Sequence, residues 1–279
     1  KKVNVPFLGE IPFSISRKNR PTLEQRIKFW KKPKEVRMIV VKAGKRDIVN
    51  EAFRVLRTNF EFTIGTHPEQ NVIVFTSFNP GSGKSHIAAN MAMSLAIKKK
   101  KVLLIDGDLR HGSTSMLIHS PGEGLSDYLN GRIADIHDIL YKGEENGLVK
   151  NFDVIPIGTI PPNPTELLFT PLLEQMIKTM REEYDYVFID CPPIEVVADT
   201  PIYEQFADRT IFVVRAGLME RSMLPEVNAL YKAKKFKNMT LILNGTKAHG
   251  GRYGSHYGYG YGYGYGYNYN KEKNGGAKS

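Results

Sequence analysis

Four side chains set the chemistry open to this sequence: Lys84, Asp106, Asp108 and Asp190. Lys84 stands in Phe78-Asn79-Pro80-Gly81-Ser82-Gly83-Lys84-Ser85. This small-residue turn lies between an apolar β-branched run, Val72–Thr76, and a segment whose apolar residues Ile87, Met91 and Leu95 recur at helical spacing. Strand, loop and helix in that order make a phosphate-binding loop. The amides around Gly81, Ser82, Gly83, Lys84 and Ser85 point inward to cradle a polyphosphate, and the glycines allow close backbone approach. Lys84 reaches the β- and γ-phosphates, and the Ser85 hydroxyl is offered to Mg²⁺. The strict pattern G-x-x-x-x-G-K-S/T calls for glycine where this chain has Phe78, whereas its Gly83-Lys84-Ser85 end is intact.

The aspartates end two further apolar runs, K-V-L-L-I-D-G-D-L-R from Lys101 to Arg110 and Y-V-F-I-D-C-P-P from Tyr186 to Pro193. In a parallel sheet the carboxyl ends of the strands face one crevice, so Asp106, Asp108 and Asp190 converge on the phosphate loop. Three carboxylates beside a triphosphate imply Mg²⁺, because a hard cation suits oxygen ligands and the charges would otherwise repel.

The elements that position these groups alternate. Asp47 caps a helix over Asp47–Thr63, and the phosphate loop and its helix follow. After the Asp106 strand and a Gly/Ser/His-rich loop, Leu125–Leu129 and Ile133–Leu140 read as short helices, then Phe152–Ile157 as a strand. Pro161-Pro162-Asn163-Pro164 turns the chain into a helix near 170–183. The Asp190 strand, a strand at 210–215, a helix near 222–234 and a strand at 240–244 complete the series. Such alternation predicts an α/β fold, a doubly wound, mostly parallel sheet of the P-loop NTPase type with right-handed crossovers. Asn244, at a strand end, is a candidate for the adenine contact. His111 and His119 show no metal-ligand spacing.

Composition divides the chain into 1–46, 47–248 and 249–279. Residues 1–46 carry fourteen Lys/Arg against three Asp/Glu, a net of +11, and the rest a net of −1. A basic arm of this kind attracts anionic lipid at about 1 kcal/mol per residue near the surface or serves as a solvated linker. Trp30 inside it suits a membrane-interface anchor or simple docking. A nucleic-acid binder would carry its charge on the folded domain, so nucleic acid is not an expected partner. No run of eighteen apolar residues spans a membrane, and the single Cys191 excludes a disulfide framework. The start at Lys1 without methionine suggests a fragment. The run from His249 to Asn270 places Tyr253, Tyr257, Tyr259, Tyr261, Tyr263, Tyr265, Tyr267 and Tyr269 mostly one glycine apart. With almost no aliphatic residues it is expected to be a disordered tail, either a sticky low-complexity segment or a string of phenols that serve as substrate. Glu51, Arg54 and Arg57, at i, i+3 and i+6, share a neighbouring helical stripe, as intrahelical ion pairs or as a polar interface with another subunit.

Taken together these residues resemble the bacterial tyrosine kinases of exopolysaccharide and capsule export. Phe78–Ser85 is similar to that family's Walker A motif, Leu103–Arg110 to its second acidic motif and Val187–Pro193 to its Walker B strand. Glu51-x-x-Arg54-x-x-Arg57 is similar to its oligomerisation motif, Pro161–Leu168 to its P-P-N-P-x-E-L-L segment, and the tail to its tyrosine cluster. The resemblance implies an ATP-dependent protein-tyrosine kinase that phosphorylates its terminal tyrosines in trans. It also implies a ring-like homo-oligomer, an octamer in the family, that loosens on modification, and an upstream transmembrane region. Implied partners are a tyrosine phosphatase, the polysaccharide export machinery and an anionic membrane surface; the implied location is the cytoplasmic face of the bacterial inner membrane. His86 stands where the family usually has Thr or Ser, and His86 and Arg110 join the loop as ATP contacts. ATP is held by Lys84 and the loop amides, and Mg²⁺ by Ser85, Asp108 and Asp190. Asp106 accepts or orients the tyrosine proton, with Asp106 and Asp108 exchangeable in these roles. The rival reading is a ParA/MinD-like ATPase switch, whose loop generally carries a signature lysine where this chain has Asn79.

Overall fold

The computed structural model describes residues 3–13, 38–65, 67–195 and 199–247. The tail tyrosines, Trp30 and most of the basic arm lie outside the described residues.

Seven parallel strands form one sheet, β1 Phe7–Pro12, β2 Val72–Ser77, β3 Val102–Asp106, β4 Phe152–Ile155, β5 Tyr186–Asp190, β6 Arg209–Arg215 and β7 Thr240–Thr246, in the order β1-β7-β6-β2-β5-β3-β4. β2, β3 and β5 are buried along their whole length. That is why their sequences are continuous apolar runs rather than alternating ones: helices cover both faces of a parallel sheet.

One face packs on α1 (Ile48–Ile64) and α2 (Lys84–Ala96). Asp47 caps α1, its carboxylate accepting from the Asn50 amide at 2.9 Å. The helix buries Phe53, Leu56 and Phe60 against the sheet and α2, each a contribution of about 1.5–3 kcal/mol. α2 packs on both α1 and the sheet and is buried almost all round, so beyond its first turn it is mostly apolar. The other face packs on α3 (Leu125–Leu129), α5 (Pro171–Glu183) and α6 (Thr200–Glu204), with α4 (Pro164–Leu167) at its rim. Val227 of α7 (Leu224–Lys232) packs with Phe212 and Leu241 on β6 and β7.

Two elements differ from expectation. Ile133–Leu140 holds only a single 3-10 turn at Ile136–Ile139, because the Asp135 carboxylate takes the His137 amide at 2.9 Å and closes a tight turn. Residues 7–12, expected as a short apolar piece of the 1–46 arm that packs on the domain, are the edge strand beside β7, with the Leu241 amide bonded to the Pro6 carbonyl at 2.8 Å and the Phe13 amide to Thr246 at 2.7 Å. A proline-flanked strand fits there because an edge leaves one row of backbone groups unpaired. The sheet therefore crosses the expected boundary at residue 46.

Candidate active site

The loop between β2 and α2 is held by the ends of two other strands. The Asn244 amide on β7 donates to the Ser82 carbonyl at 2.9 Å, and Arg215 at the end of β6 donates to the Gly81 carbonyl at 2.8 Å. Within the loop, the Ser77 and Ser82 hydroxyls both donate to the Asn79 carbonyl, at 2.9 and 2.7 Å. Gly83 has φ +88°, and a Cβ there would lie 2.3 Å from the Asn244 side-chain nitrogen, so neither the backbone nor the space admits another residue. Phe78 needs no such freedom: its φ is not positive, and its ring packs with the cluster beneath β6 and β7. The absent first glycine of the motif therefore costs the loop nothing. Gly83 caps α2 with no side-chain acceptor, which leaves the first amides of the helix free for an anion.

Lys84 and the carboxylates meet as expected. Lys84 Nζ lies 3.5 Å from Asp190 Oδ1, 3.9 Å from Asp108 Oδ2 and 3.3 Å from the Ser85 hydroxyl. Asp106 and Asp190 stand opposite each other on β3 and β5, both fully buried. Asp106 Oδ2 accepts from the Ser115 amide and hydroxyl, each at 2.7 Å, while Asp106 Oδ1 and Asp190 Oδ2 are buried with no partner. Burial, then the neighbouring Asp190 charge, raise the Asp106 pKa to about 7, against which the Ser115 bonds pull only partly. Burial also raises Asp190 despite the Lys84 charge. Burial alone would lower Lys84, but Asp190, Asp108 and Asp106 outweigh it and keep the ammonium charged. One cation is thus shared among three carboxylates, and the site lacks positive charge.

That shortage is the test of fit for Mg²⁺. Among the described residues no group of three or more His, Cys, Asp or Glu forms an all-protein metal cage. Mg²⁺ needs none, since it is typically held by one or two carboxylates together with phosphate oxygens and water. Ser85, Asp108 and the unpartnered Asp190 oxygen supply that donor set.

Beside the loop opens a cavity of about 460 Å³, lined by Gly83, His86, Arg215 and Asn244 together with Ile11–Phe13, Val40 and Lys45. Its volume lies in the ordinary range for small-molecule sites. Burial lowers the His86 pKa below its usual value, against a backbone bond to Met38 that raises it, so the ring is neutral at neutral pH.

Two expected site residues are placed differently. Arg110 turns its guanidinium to the buried Asp199 and to the Thr165 hydroxyl at 2.9 Å, and Thr165 donates to Asp199 at 2.7 Å. This ties the β3 loop to α4 and α6. Arg57 is buried against its own chain, donating to the Ser94 carbonyl at 3.0 Å and hydroxyl at 3.1 Å, while Arg54 pairs with Glu51. Ser115, Asp199 and Arg215 were not anticipated; the small polar residues beyond Asp108 were the only signal for Ser115.

A phosphate loop at the carboxyl end of the central strand of a parallel sheet, faced by aspartates from the ends of β3 and β5, defines a P-loop nucleotide-binding domain. Residues 70–222 match the AAA-domain family AAA_31. The chain is 34% identical over 74% of its length to the tyrosine-protein kinase CpsD of Streptococcus agalactiae, covering 87% of that protein. It is 36% identical over 67% of its length to the putative tyrosine-protein kinase AmsA of Erwinia amylovora, but spans only 24% of it. Among solved structures it superposes on the kinase domain of Escherichia coli tyrosine kinase ETK with a TM-score of 0.73 and 29% identity, covering 92% of this chain and 95% of that one. The BceF tyrosine kinase domain gives 0.69 at 30% identity, over 87% and 94%. The MinD protein of Pyrococcus horikoshii, solved with Mg-ADP, is more distant, with a TM-score of 0.51 at 25% identity over 62% and 70%. The chain belongs to the bacterial tyrosine-protein kinases.

Proposed function

We propose that this domain transfers the γ-phosphoryl group of ATP to tyrosines of the 253–269 cluster on a neighbouring copy, within the machinery that exports capsule or exopolysaccharide. The observation that carries the reading is the meeting of Lys84 with Asp106, Asp108 and Asp190 at the carboxyl ends of β3 and β5, in a chain that also bears eight closely spaced tyrosines.

Phosphoryl transfer asks a protein for positioning and charge stabilisation more than for covalent help. Mg·ATP supplies the phosphoryl group and the positive charge that the carboxylates lack. Lys84 and the free amides at the start of α2 bind the β- and γ-phosphates, and Ser85, Asp108 and Asp190 hold the ion. Ser115 fixes one oxygen of Asp106 and leaves Oδ1 free to take the tyrosine proton; a pKa near 7 suits a base at neutral pH. The nucleoside end occupies the cavity beside Gly83, with Asn244 and Arg215 at its wall.

Residues 249–279 act as the acceptor tail, the basic stretch of 17–37 lies against an anionic membrane surface at the cytoplasmic face, and residues 47–248 carry the catalytic machinery, completed by β1 and residues 38–46 at the cavity. The copies assemble as a ring, an octamer by resemblance to the family. Glu51 and Arg54 are exposed for that contact, whereas Arg57 serves the internal packing of α1 on α2. Each phosphate adds about −1.5 to −2 charges, so modification weakens the contact of the tail with the acidic site until a tyrosine phosphatase resets it.

The test mixes Lys84→Met protein having an intact tail with active protein lacking residues 249–279, adds Mg·ATP, and reads the tail by mass spectrometry. Phosphotyrosine on the intact tail is the expected result. ATP hydrolysis with no tyrosine label would favour the switch ATPase instead, and an intact tail that stays unlabelled in this mixture, while active full-length protein labels its own, would overturn transfer between copies.

A further inference from the structure

Asn90 is out of place by composition: it sits in the middle of α2, fully buried, on a helix that is otherwise almost wholly apolar. Its side chain is used in every direction. Oδ1 accepts from the Val40 amide at 2.8 Å and the Val41 amide at 3.0 Å, and Nδ2 donates to the Met38 carbonyl at 2.7 Å and the His86 carbonyl at 2.8 Å. From the other side Asn50 of α1, also buried, accepts from the Lys42 amide at 2.9 Å and donates to the Val40 carbonyl at 3.4 Å. Residues 38–42 form no helix or strand. Two amide side chains from two helices thus take the place of a ladder and hold them as a strap across the α1–α2 seam.

The strap is also a wall. Val40 lines the cavity, as do Lys45, Asp47 and Asn50 just after it, together with Gly83 and Asn244. Val41 points the other way into the core, and Asn90 is not part of the lining. His86, in the first turn of α2, also lines the cavity, and its ring nitrogen Nδ1 lies 3.3 Å from Asn90 Nδ2. A buried amide costs free energy unless its bonds are made, and packing alone would be served by leucine or alanine.

Resting on the nucleotide reading above, we propose that Asn90 is a positioning residue that couples nucleotide binding to docking of the 38–42 strap, so that the strap must loosen for nucleotide to leave. A segment held by a few side-chain bonds opens more readily than one in a sheet. Nucleotide that contacts only the docked strap suppresses that opening by mass action. The coupling is reciprocal: a pull that undocks the strap lowers nucleotide affinity by the same factor. The strap directly follows the basic stretch of residues 17–37, so whatever holds that stretch is felt at the nucleotide.

The experiment uses the full chain and two probes, Mg·ADP and a fluorescent ADP analogue. Hydrogen exchange at Val40, Val41 and Lys42 should slow by about 100-fold when Mg·ADP is present at about 100 times its Kd. Asn90→Ala, and Val41→Ala as a variant that leaves both the cavity lining and Asn90 intact, should speed release of the analogue and raise the KM for ATP with kcat little changed. Should Asn90→Ala fail to fold, wild-type exchange and Val41→Ala still decide. Exchange at these amides that ignores bound Mg·ADP would overturn the coupling, as would variants that expose the amides yet release nucleotide at the wild-type rate. Failure of the wild-type protein to bind Mg·ADP at all would instead sink the nucleotide reading and this one with it.

Discussion

Replacing Lys84 by methionine tests the site through stability as well as activity. Methionine keeps an aliphatic stem but deletes the ammonium 3.5 Å from Asp190 Oδ1 and 3.9 Å from Asp108 Oδ2. At an effective dielectric constant of about 20 each contact is an attraction of about 4–5 kcal/mol, offset in part by desolvation of the charges; removing one partner of a buried pair costs about 3–5 kcal/mol in net terms. The loss depends on pH because the stranded carboxylates can take up protons. Asp106 titrates at about 7 in the folded protein against 3.8 ordinarily. The folded state therefore binds more protons than the unfolded chain between about 4 and 7, and stability falls as pH rises through that window. Without Lys84, Asp106 and Asp190 rise further and the window widens upward. Urea unfolding should show a loss of about 1–2 kcal/mol at pH 6 and about 3–5 kcal/mol at pH 8, since each unit over which one group titrates is worth about 1.4 kcal/mol. At pH 8 the midpoint should move by about 1 M or more. Tyrosine labelling should vanish at both. Equal losses at the two pH values would refute the shared-cation account, and no loss at either would show that the carboxylates are compensated by something else.

Asp106→Asn removes the group that titrates at about 7, so thermal melts between pH 4 and 7 should lose most of their downward slope, while labelling of tail tyrosines falls by about 10²–10⁴; a variant that labels at the wild-type rate would remove Asp106 from the proton-acceptor role. Arg110→Ala strands the buried Asp199 and should cost about 2–4 kcal/mol in urea unfolding with the KM for ATP little changed; a large rise in KM in a protein of normal stability would restore Arg110 to the nucleotide.

The residues that do chemistry were legible because parallel strands write themselves plainly. β2, β3 and β5 are unbroken apolar runs, and two of them end in the aspartates that meet Lys84. What the sequence did not show depends on contacts between remote segments. The partner of Arg110 is Asp199, 89 residues further along the chain and beyond three helices and two strands, and no local pattern connects them. Arg57 follows from rotation along a helix: six residues at about 100° each leave it about 120° from Glu51, so one side chain faces solvent while the other turns into α2. β1 was hidden by its prolines, which argue against a strand except at an edge. Asn90 carried a weak signal, a polar residue inside an apolar helical run, that only the backbone of residues 38–42 explains.

β1 has one neighbour in the sheet, β7, so the first of the seven described strands pairs with the last. During synthesis β1 emerges before β7 and waits for it while the five other strands of the sheet are made, an arrangement of high contact order. Its flanking prolines make the waiting strand a poor template for other chains. The cavity beside the phosphate loop is lined by residues from both of these strands, Ile11 and Asn244 among them. A nascent chain therefore carries its Lys84 loop before this cavity is finished, and the cavity is completed only when β7 joins β1, after the other strands of the sheet have been made.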